Sequence, residues 1–244
     1  MNEEVINEII KKKEFSKLPR GIIERVLELK EVRNLDEKEK IKKAREILRK
    51  AFTAFLTNKI LKGKIKDELI LKSHYSTKNR DYKEIYYKIL GKEKSIIDLG
   101  AGINGFGYNF LDGRRYVAIE AVGQLVELMN EFFSDKNAVA IHEDLFNLEK
   151  IKKIIENEEK PRVVFLFNII DGLELIERNF SKKLIQEVAK LAEKVVLSFP
   201  VASLSRRTRF KARRYWLLGF LENNFEILQD FELDGERFIV FRLS

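Results

Sequence analysis

Hydrophobic residues recur every three or four positions through the first 60 or so residues of the chain. The spacing is clear at Val5, Ile6 and Ile9, and it is the stripe of an amphipathic helix. A later helix is predicted over 36–55, with Asp36 as its N-cap, because a carboxylate accepts hydrogen bonds from the free N–H groups of a first helical turn. The pattern therefore predicts an all-helical module at the front of the chain.

After Gly91 the pattern changes to short runs rich in β-branched and aromatic residues. These runs occupy 95–99, 116–119, 138–141, 162–167, 194–199, 225–231 and 237–243. Helical segments such as 124–133 and 148–157 separate the early runs, which predicts parallel strands with helical crossovers. The last two runs flank Asp234-Gly235, a turn dipeptide typical of an antiparallel hairpin. We predict an α/β fold with a Rossmann-like seven-stranded sheet closed by a hairpin.

Positive charge is concentrated in the front part of the chain. The protein has 244 residues and a net charge of +8, and up to Glu93 it carries 25 Lys and Arg against 16 Asp and Glu. A basic module joined to a nearly neutral one is typical of a nucleic-acid docking element, because phosphate contacts give affinity for any sequence. The alternative is a set of solvated helix faces. We divide the chain into a basic helical module, 1–74, and a second domain, 75–244.

Composition limits the chemistry that this chain can perform. It has no cysteine, which excludes disulfides, thiolate metal sites and a sulfur nucleophile. His74 and His142 are isolated in the sequence, and we expect no metal. No apolar stretch reaches about 20 residues, and the polar start lacks the order of a signal peptide, so we expect a cytoplasmic protein without a membrane partner. Abundant Lys, Glu and Ile predict a thermophilic source.

A glycine turn follows the first predicted strand. Asp98 ends that strand, and Gly100 and Gly102 let the backbone approach a ligand closely. Glu120, at the end of the next strand, can accept hydrogen bonds from ribose hydroxyls. Asp144 and Leu145, after the third strand, stand where an adenine amino group could be recognised. These residue types predict a nucleoside-containing cofactor at the ends of the strands.

Two cofactors compete for this turn. Gly100, Gly102 and Gly105 satisfy the G-x-G-x-x-G pattern of dinucleotide sites. Asp98 would repel a pyrophosphate, however, whereas it suits the positive sulfonium and amino groups of S-adenosylmethionine. The terminal hairpin is also typical of Rossmann-like methyltransferases that use this cofactor. We therefore predict S-adenosylmethionine, with a dinucleotide enzyme and a catalytically inactive binding protein as alternatives.

Several ordered blocks resemble the aminoglycoside-resistance 16S ribosomal RNA methyltransferases. The blocks are 74–80 (HYSTKNR), Tyr86-Tyr87, 98–104 (DLGAGIN), 197–200 (LSFP), Ser203-Leu204 and Tyr215. Those enzymes methylate guanine N7 in small-subunit ribosomal RNA and carry a helical RNA-binding module at the amino terminus. The resemblance covers roughly 71–244 and implies an S-adenosylmethionine-dependent ribosomal RNA methyltransferase, here as a relative from a thermophilic or archaeal source.

The resemblance implies roles for particular residues. Asn104 would complete the cofactor loop, and Arg80 would pair with the carboxylate of the cofactor, which a bidentate guanidinium suits. The alternative for Arg80 is a surface arginine beside a helix cap. Gly105 stands where the family usually has proline, and 168–171 (NIID) replaces a more apolar stretch. Both departures are expected beside the methyl-transfer position.

The target atom stays open at this stage. Guanine N7 has a free lone pair and needs no general base, whereas the absence of cysteine excludes the covalent route to carbon 5 of a pyrimidine. The alternative target is an exocyclic amine such as cytosine N4, with Asn168 accepting its hydrogen and Phe199 stacking on the base. As structural residues, Asn168 would cap a helix and Phe199 would belong to the core. A non-catalytic RNA-binding protein is a third interpretation.

A cluster of cations follows the fifth predicted strand, beside Tyr215 and Trp216. The cations are Arg206, Arg207, Arg209, Lys211, Arg213 and Arg214. Such clusters combine phosphate contacts with stacking on bases or riboses, although a solvated helix face is the alternative. We expect RNA contacts here, ribosomal RNA or the assembled small subunit as the partner, and a monomeric protein.

Overall fold

The computed structural model describes residues 2–53, 60, 68–73, 77–78, 80–201 and 214–244. Each of the seven predicted strands is present to within two residues. They are β1 (Ser95–Leu99), β2 (Arg115–Glu120), β3 (Ala138–His142), β4 (Arg162–Phe167), β5 (Lys194–Pro200), β6 (Glu226–Leu233) and β7 (Glu236–Arg242). The central strands β1, β4 and β5 are buried apolar runs, as expected where helices cover both faces of a sheet, whereas the edge strand β6 is mostly exposed. The prediction of an α/β fold is confirmed.

The sheet order is β3-β2-β1-β4-β5-β7-β6. Strands β1 to β5 pair in parallel, whereas β7 is antiparallel to both β5 and β6. The tight turn at Asp234 and Gly235, both with positive φ, joins β6 to β7 as the sequence predicted. Because β7 lies between β5 and β6, its first residue, Glu236, pairs with Pro200 at the carboxyl end of β5.

The described part of the front module is helical. Its helices are α1 (Asn2–Ile10), α2 (Arg20–Leu27), α3 (Lys30–Arg33), α4 (Glu37–Leu48), a π-helical turn (Arg49–Thr53) and α5 (Leu69–Ser73). The backbone N–H of Glu39 donates to Asp36 at 2.9 Å, which confirms Asp36 as an N-cap. The predicted helix 36–55 thus ends as α-helix at Leu48 and continues as the π-helical turn, while positions 54 and 55 lie outside the described residues.

The rest of the chain supplies helices that cover the sheet. They are α6 (Tyr82–Ile89), a 3-10 helix (Asn104–Phe110), α7 (Gly123–Phe132), α8 (Leu148–Glu156), α9 (Ile170–Ile176), α10 (Phe180–Ala189) and α11 (Tyr215–Asn224). Within the described ranges, no helix is long and apolar enough to cross a membrane.

The front module packs directly on the sheet domain. The N–H of Gly123, at the start of α7, donates to the carbonyl of Lys17 at 3.1 Å, and the amide of Gln124 donates to the carbonyl of Lys13 at 2.5 Å. A Cβ built on Gly123 would lie 2.8 Å from the Cβ of Lys17, so only glycine permits this approach. The two parts share one buried core. The boundary at 74 lies outside the described residues and stays a prediction.

Candidate active site

A cleft opens at the carboxyl ends of the parallel strands, where the sheet order reverses between β1 and β4. This switch point is where open α/β sheets bind their ligands. The cleft encloses about 760 Å³, including the part open to solvent. Its lining is Ala51, Phe52, Thr77, Arg80, 100–104, Glu120, Ala121, 144–146, 167–169, Gly172 and Leu173. The predicted cofactor residues Arg80, Gly100, Gly102, Asn104, Glu120, Asp144, Leu145 and Asn168 are therefore brought together here.

The loop after β1 has the close-approach geometry that its glycines predicted. Gly100 and Gly102 have φ of 68° and 56°, a left-handed conformation that favours glycine. A Cβ on Gly100 would lie 2.7 Å from the Cγ2 of Ile169, so no side chain fits there. The loop is held against the cleft by backbone hydrogen bonds, since the N–H of Gly100 donates to the carbonyl of Ile119 at 2.8 Å.

Glu120 holds this loop through its carboxylate. The N–H groups of Gly102 and Val122 each donate to one of its oxygens at 2.8 Å. Burial raises the pKa of Glu120, against the opposing effect of these N–H donors. Each carboxylate oxygen keeps further acceptor capacity, so Glu120 can fix the loop and still accept from a ligand hydroxyl.

Asp144 stands at the next strand end. Its Oδ1 accepts the N–H of Phe146 at 2.9 Å, and burial raises its pKa. The Cδ1 of Leu145 lies 3.6 Å from the position that a Cβ on Gly100 would occupy. The apolar Leu145 and the polar Asp144 therefore line one end of the cleft together.

Asp98 lies beneath the loop and outside the cleft lining. It is fully buried, and its Oδ2 accepts the hydroxyl of Tyr116 at 2.7 Å. Its Oδ1 has no hydrogen-bond partner in the described part of the chain. Burial raises the pKa of Asp98 to about 7, although Tyr116 and Arg80 act in the opposite direction. Asp98 was predicted to bind the cofactor by suiting its positive groups, and from this buried position it can act on the cleft through its charge; that role stays a prediction.

Arg80 lines the cleft, and its side chain is buried, being only 4% exposed. Its Nε and Nη2 each donate to Glu236 at 2.8 Å, and its Nη1 donates to Asn104 at 2.6 Å. Burial alone would lower the pKa of Arg80, but the charge of Glu236, together with Tyr82 and the hydrogen bonds to both residues, more than offsets it, so the pKa is raised. Arg80 is thus a fixed cation, and Asn104 serves it as an acceptor. Of the two alternatives for Arg80, the surface arginine is wrong.

Asn168 directly follows β4 and has a φ of 58°. Its Nδ2 donates to Glu236 at 2.9 Å, while its Oδ1 is buried and has no partner among the described residues. The hydroxyl of Ser198, on the neighbouring strand β5, also donates to Glu236. The helix α9 begins two residues later, at Ile170, with Ile169 as N-cap, so Asn168 is not the cap of that helix.

Two predicted residues have surroundings that differ from the expectation. Phe199 is 3% exposed, and the guanidinium of Arg214 lies 4.7 Å from the centre of its ring. Arg214 also forms an ion pair with Asp171 and donates to the carbonyl of Pro200 at 3.1 Å. A base cannot reach this face of Phe199 while Arg214 covers it. The side chain of Arg214 is 8% exposed and already has protein partners, and its contact with RNA stays a prediction.

Gly105 also corrects an expectation. A Cβ there would lie 2.5 Å from the Sδ of Met129 and 3.0 Å from Phe133. Gly105 therefore faces helix α7 and its C-terminal end, and it does not line the cleft. A close approach of helix α7 explains the glycine, so this departure from the family pattern lies outside the cleft lining.

Other expected residues lie outside the described residues. They are His74, Arg206, Arg207, Arg209, Lys211 and Arg213. Within the described ranges, no three His, Asp or Glu side chains come together as they would around a metal ion.

The sequence interpretation missed Ala51 and Phe52 in the cleft and Glu236 beside it, among other residues. Ala51 and Phe52 come from the π-helical turn, and a Cβ on Gly172 would lie 3.2 Å from the carbonyl of Ala51. Glu236 lies beside the cleft, where it binds Arg80. The sequence carries no local signal for any of the three, because each reaches this place through tertiary packing alone.

No family model matches the chain, and no curated protein matches it. Several solved structures do match the chain. The 16S ribosomal RNA methyltransferase RmtF in complex with S-adenosyl-L-homocysteine has a TM-score of 0.81 at 19% identity, covering 99% of this chain and 98% of its own. The 16S ribosomal RNA methylase RmtB has 0.75 at 17%, covering 99% and 98%. An rRNA methylase from Escherichia coli has 0.75 at 18%, covering 99% of both chains. Over nearly its whole length, this chain has the fold of these ribosomal RNA methyltransferases.

Proposed function

We propose that this chain is an S-adenosylmethionine-dependent methyltransferase that modifies a base nitrogen of 16S ribosomal RNA, guanine N7. One observation carries the proposal. A single cleft at the β1/β4 switch point joins Arg80, the Gly100 turn, Glu120 and Asp144. The fold around that cleft is shared nearly end to end with RmtF, which was crystallised with S-adenosyl-L-homocysteine.

The donors and acceptors of the cleft fit the cofactor. Arg80 has five N–H groups and uses three of them on Glu236 and Asn104, so others are left for the cofactor's carboxylate. Glu120 suits the ribose hydroxyls, and Asp144 with Leu145 suits the adenine. The Oδ1 atoms of Asp98 and Asn168, which have no hydrogen-bond partner among the described residues, add negative potential that favours the ammonium and sulfonium groups.

A dinucleotide cofactor fits less well. Its pyrophosphate would lie over the Gly100–Gly102 turn, directly above the buried carboxylate of Asp98 and beside that of Glu120, and like charges repel strongly where water is excluded. The antiparallel β7 between β5 and β6 also departs from the strand order 3-2-1-4-5-6 of dinucleotide domains. Both features favour S-adenosylmethionine.

The chemistry requires orientation more than acid or base groups. When bound, S-adenosylmethionine supplies a methyl group that passes to the nucleophilic nitrogen as the carbon–sulfur bond breaks and its electron pair returns to sulfur. Guanine N7 has no proton to lose, and the buried carboxylates of the described cleft already accept hydrogen bonds from the protein. Holding the two reactants in line is then the main contribution of the chain.

An exocyclic amine such as cytosine N4 is the second candidate target. The Oδ1 of Asn168 is a buried acceptor without a partner in the described residues, and an amine hydrogen would satisfy it. Phe199 would stack on such a base only after Arg214 moves from its ring.

The RNA partner is supported by charge. The basic excess of the first 93 residues is joined to the cleft through Ala51 and Phe52, so RNA bound on the front module would reach the methyl-transfer position. We propose Arg206, Arg207, Arg209, Lys211 and Arg213 as further phosphate contacts. The substrate is ribosomal RNA, free or in the assembled small subunit, and the protein acts as a monomer.

Incubation with labelled S-adenosylmethionine and either 16S ribosomal RNA or small subunits tests the function. We expect methyl transfer, and mass spectrometry of the digested RNA should identify 7-methylguanosine. Formation of N4-methylcytidine without 7-methylguanosine would move the target to the second candidate. Binding of S-adenosyl-L-homocysteine without methyl transfer to either RNA substrate would favour a non-catalytic protein. No binding at all would overturn the proposal.

The contribution of the front module to the cofactor site has its own test. Replacing Phe52 with alanine is expected to weaken binding of S-adenosyl-L-homocysteine about fivefold, because it removes aromatic contact from the cleft. Phe132→Ala is the matched control, since Phe132 is also half-buried but packs against Phe106 outside the cleft. Titration calorimetry measures both. Equal losses in the two variants would refute a role for Phe52 in binding.

A further inference from the structure

Glu236 is the centre of a buried polar cluster beside the cleft. It is 5% exposed and starts β7 opposite Pro200, which brings it to the carboxyl edge of the sheet. It accepts four hydrogen bonds. Arg80 supplies two of them at 2.8 Å, Asn168 supplies one at 2.9 Å, and the hydroxyl of Ser198 supplies the last. Three of these bonds end on Oε1 and one on Oε2, so the protein itself saturates Oε1.

The charge of Glu236 determines how the amide of Asn168 is turned. Arg80, Asn168 and Ser198 all donate to Glu236, which is the pattern of a carboxylate in an ion pair, since its oxygens only accept hydrogen bonds. The amide nitrogen of Asn168 must then face Glu236, and its oxygen must face away. That oxygen is buried without a partner among the described residues, in a residue that lines the cleft.

The backbone of Asn168 is fixed as well. Its N–H donates to the carbonyl of Ser198 at 3.1 Å, and its φ of 58° is a conformation that asparagine tolerates better than most residues. The amide is thereby held at both ends, by the backbone and by Glu236. A buried acceptor that lacks a partner costs free energy, and a ligand that donates a hydrogen there recovers it.

We propose that Glu236 is a positioning residue, which holds the oxygen of Asn168 towards the cleft as the acceptor for an N–H group of the bound reactants. This inference rests on the proposed function and deepens it. Two sources supply that chemistry, the ammonium group of the cofactor and an amine or imino hydrogen of the target base. Both present N–H donors, and the experiment separates them.

Glu236→Gln tests the proposal, with Asp230→Asn as control. Glutamine keeps the shape but brings an NH₂ group, to which the oxygen of Asn168 can turn. Asp230 is on the same hairpin and pairs with Arg237 at the surface. Affinities are measured for S-adenosyl-L-homocysteine and for its analogue without the α-amino group, and kcat and KM are measured with small-subunit RNA.

If the N–H donor is the ammonium group of the cofactor, Glu236→Gln should bind S-adenosyl-L-homocysteine about tenfold more weakly, and its affinity for the deaminated analogue should stay unchanged. If the donor is an N–H group of the target base, the affinity for the cofactor should stay unchanged and kcat/KM for RNA should be about tenfold lower. Equal weakening for both ligands would mean that Glu236 acts on Arg80 alone, and would overturn the role of Asn168. No change in any quantity would overturn the proposal entirely. Glu236→Asp, which keeps the charge, should recover part of the loss.

A ligand-free measurement separates this inference from the proposed function. The side-chain amide protons of Asn168 should exchange slowly with water in the parent protein, and faster in Glu236→Gln, as followed by NMR. Exchange as fast as that of exposed asparagines in the parent protein would refute the positioning role, whether or not the protein binds an S-adenosyl ligand. If the parent protein binds no S-adenosyl ligand, the proposed function is wrong, and so is the assignment of the N–H donor. Slow exchange would even then show that Glu236 positions the amide of Asn168.

Discussion

Replacing Asp98 with asparagine is expected to lower the affinity for S-adenosylmethionine about 100-fold. The two side chains have nearly the same shape, and Asp98 is fully buried beneath the cofactor loop, so the variant mainly removes a negative charge. A charge a few ångströms from the cofactor's cations is worth about 3 kcal/mol at the effective dielectric constant of a protein site. Isothermal titration with S-adenosylmethionine measures the loss.

The same side chain sets the pH dependence of binding. With a pKa of about 7, Asp98 is half protonated at neutral pH, and the cofactor's positive charges favour its ionised form. Affinity for S-adenosylmethionine should therefore rise between about pH 6 and 8 and then level off. Asp98→Asn should be flat across this range, and S-adenosyl-L-homocysteine, which lacks the sulfonium charge, should show a smaller rise in the parent. Identical pH profiles for parent and variant would rule out Asp98 as the titrating group.

The free energy of unfolding should fall as the pH rises, whereas the affinity for the cofactor should increase. Burial raises the pKa of Asp98 from 3.8 in the unfolded chain to about 7 in the folded protein. The unfolded state then releases the proton first as the pH rises, so the parent loses stability between about pH 4 and 7. This loss approaches about 4 kcal/mol at 1.36 kcal/mol for each pKa unit. Asp98→Asn has no carboxyl group at this position, so it should not lose stability in this way and should be more stable than the parent at pH 8. Denaturant unfolding at pH 4 and pH 8 would measure the free energies of unfolding of both proteins.

The sheet was predictable because its signal is local. Strand β1 is a short apolar run that ends in a glycine turn, and the dipeptide Asp234-Gly235 predicts the hairpin from β6 to β7. Each of these features depends on residues adjacent in sequence. The loop residues that follow the strands were predictable for the same reason, since the topology brings the carboxyl ends of parallel strands to one edge.

The buried polar cluster was not predictable because its partners are far apart in sequence. Arg80 and Glu236 are separated by 156 positions, and an acidic residue after a turn usually faces solvent. The burial of Glu236 follows from the insertion of β7 between β5 and β6, which no local pattern encodes. Phe52 likewise enters the cleft only because the front module packs on α9.

The ion pair between Arg80 and Glu236 leads to the second large effect. Arg80→Met is expected to destabilise the protein by about 3–5 kcal/mol, because it leaves the buried carboxylate of Glu236 without its cation. The side chains of this pair are 4% and 7% exposed. Arg237→Met is the matched control, since Arg237 pairs with Asp230 on the surface of the same hairpin and should cost less than about 1 kcal/mol. Chemical denaturation at pH 8 measures both.

The double variant Arg80→Met/Glu236→Met separates the charge from the packing. Replacing both partners by apolar side chains removes the unpaired charge, so most of the lost stability should return. Binding of the cofactor should stay lost, because no guanidinium remains for its carboxylate. A single variant as stable as the Arg237→Met control at pH 8 would show that Glu236 does not depend on Arg80 for its burial.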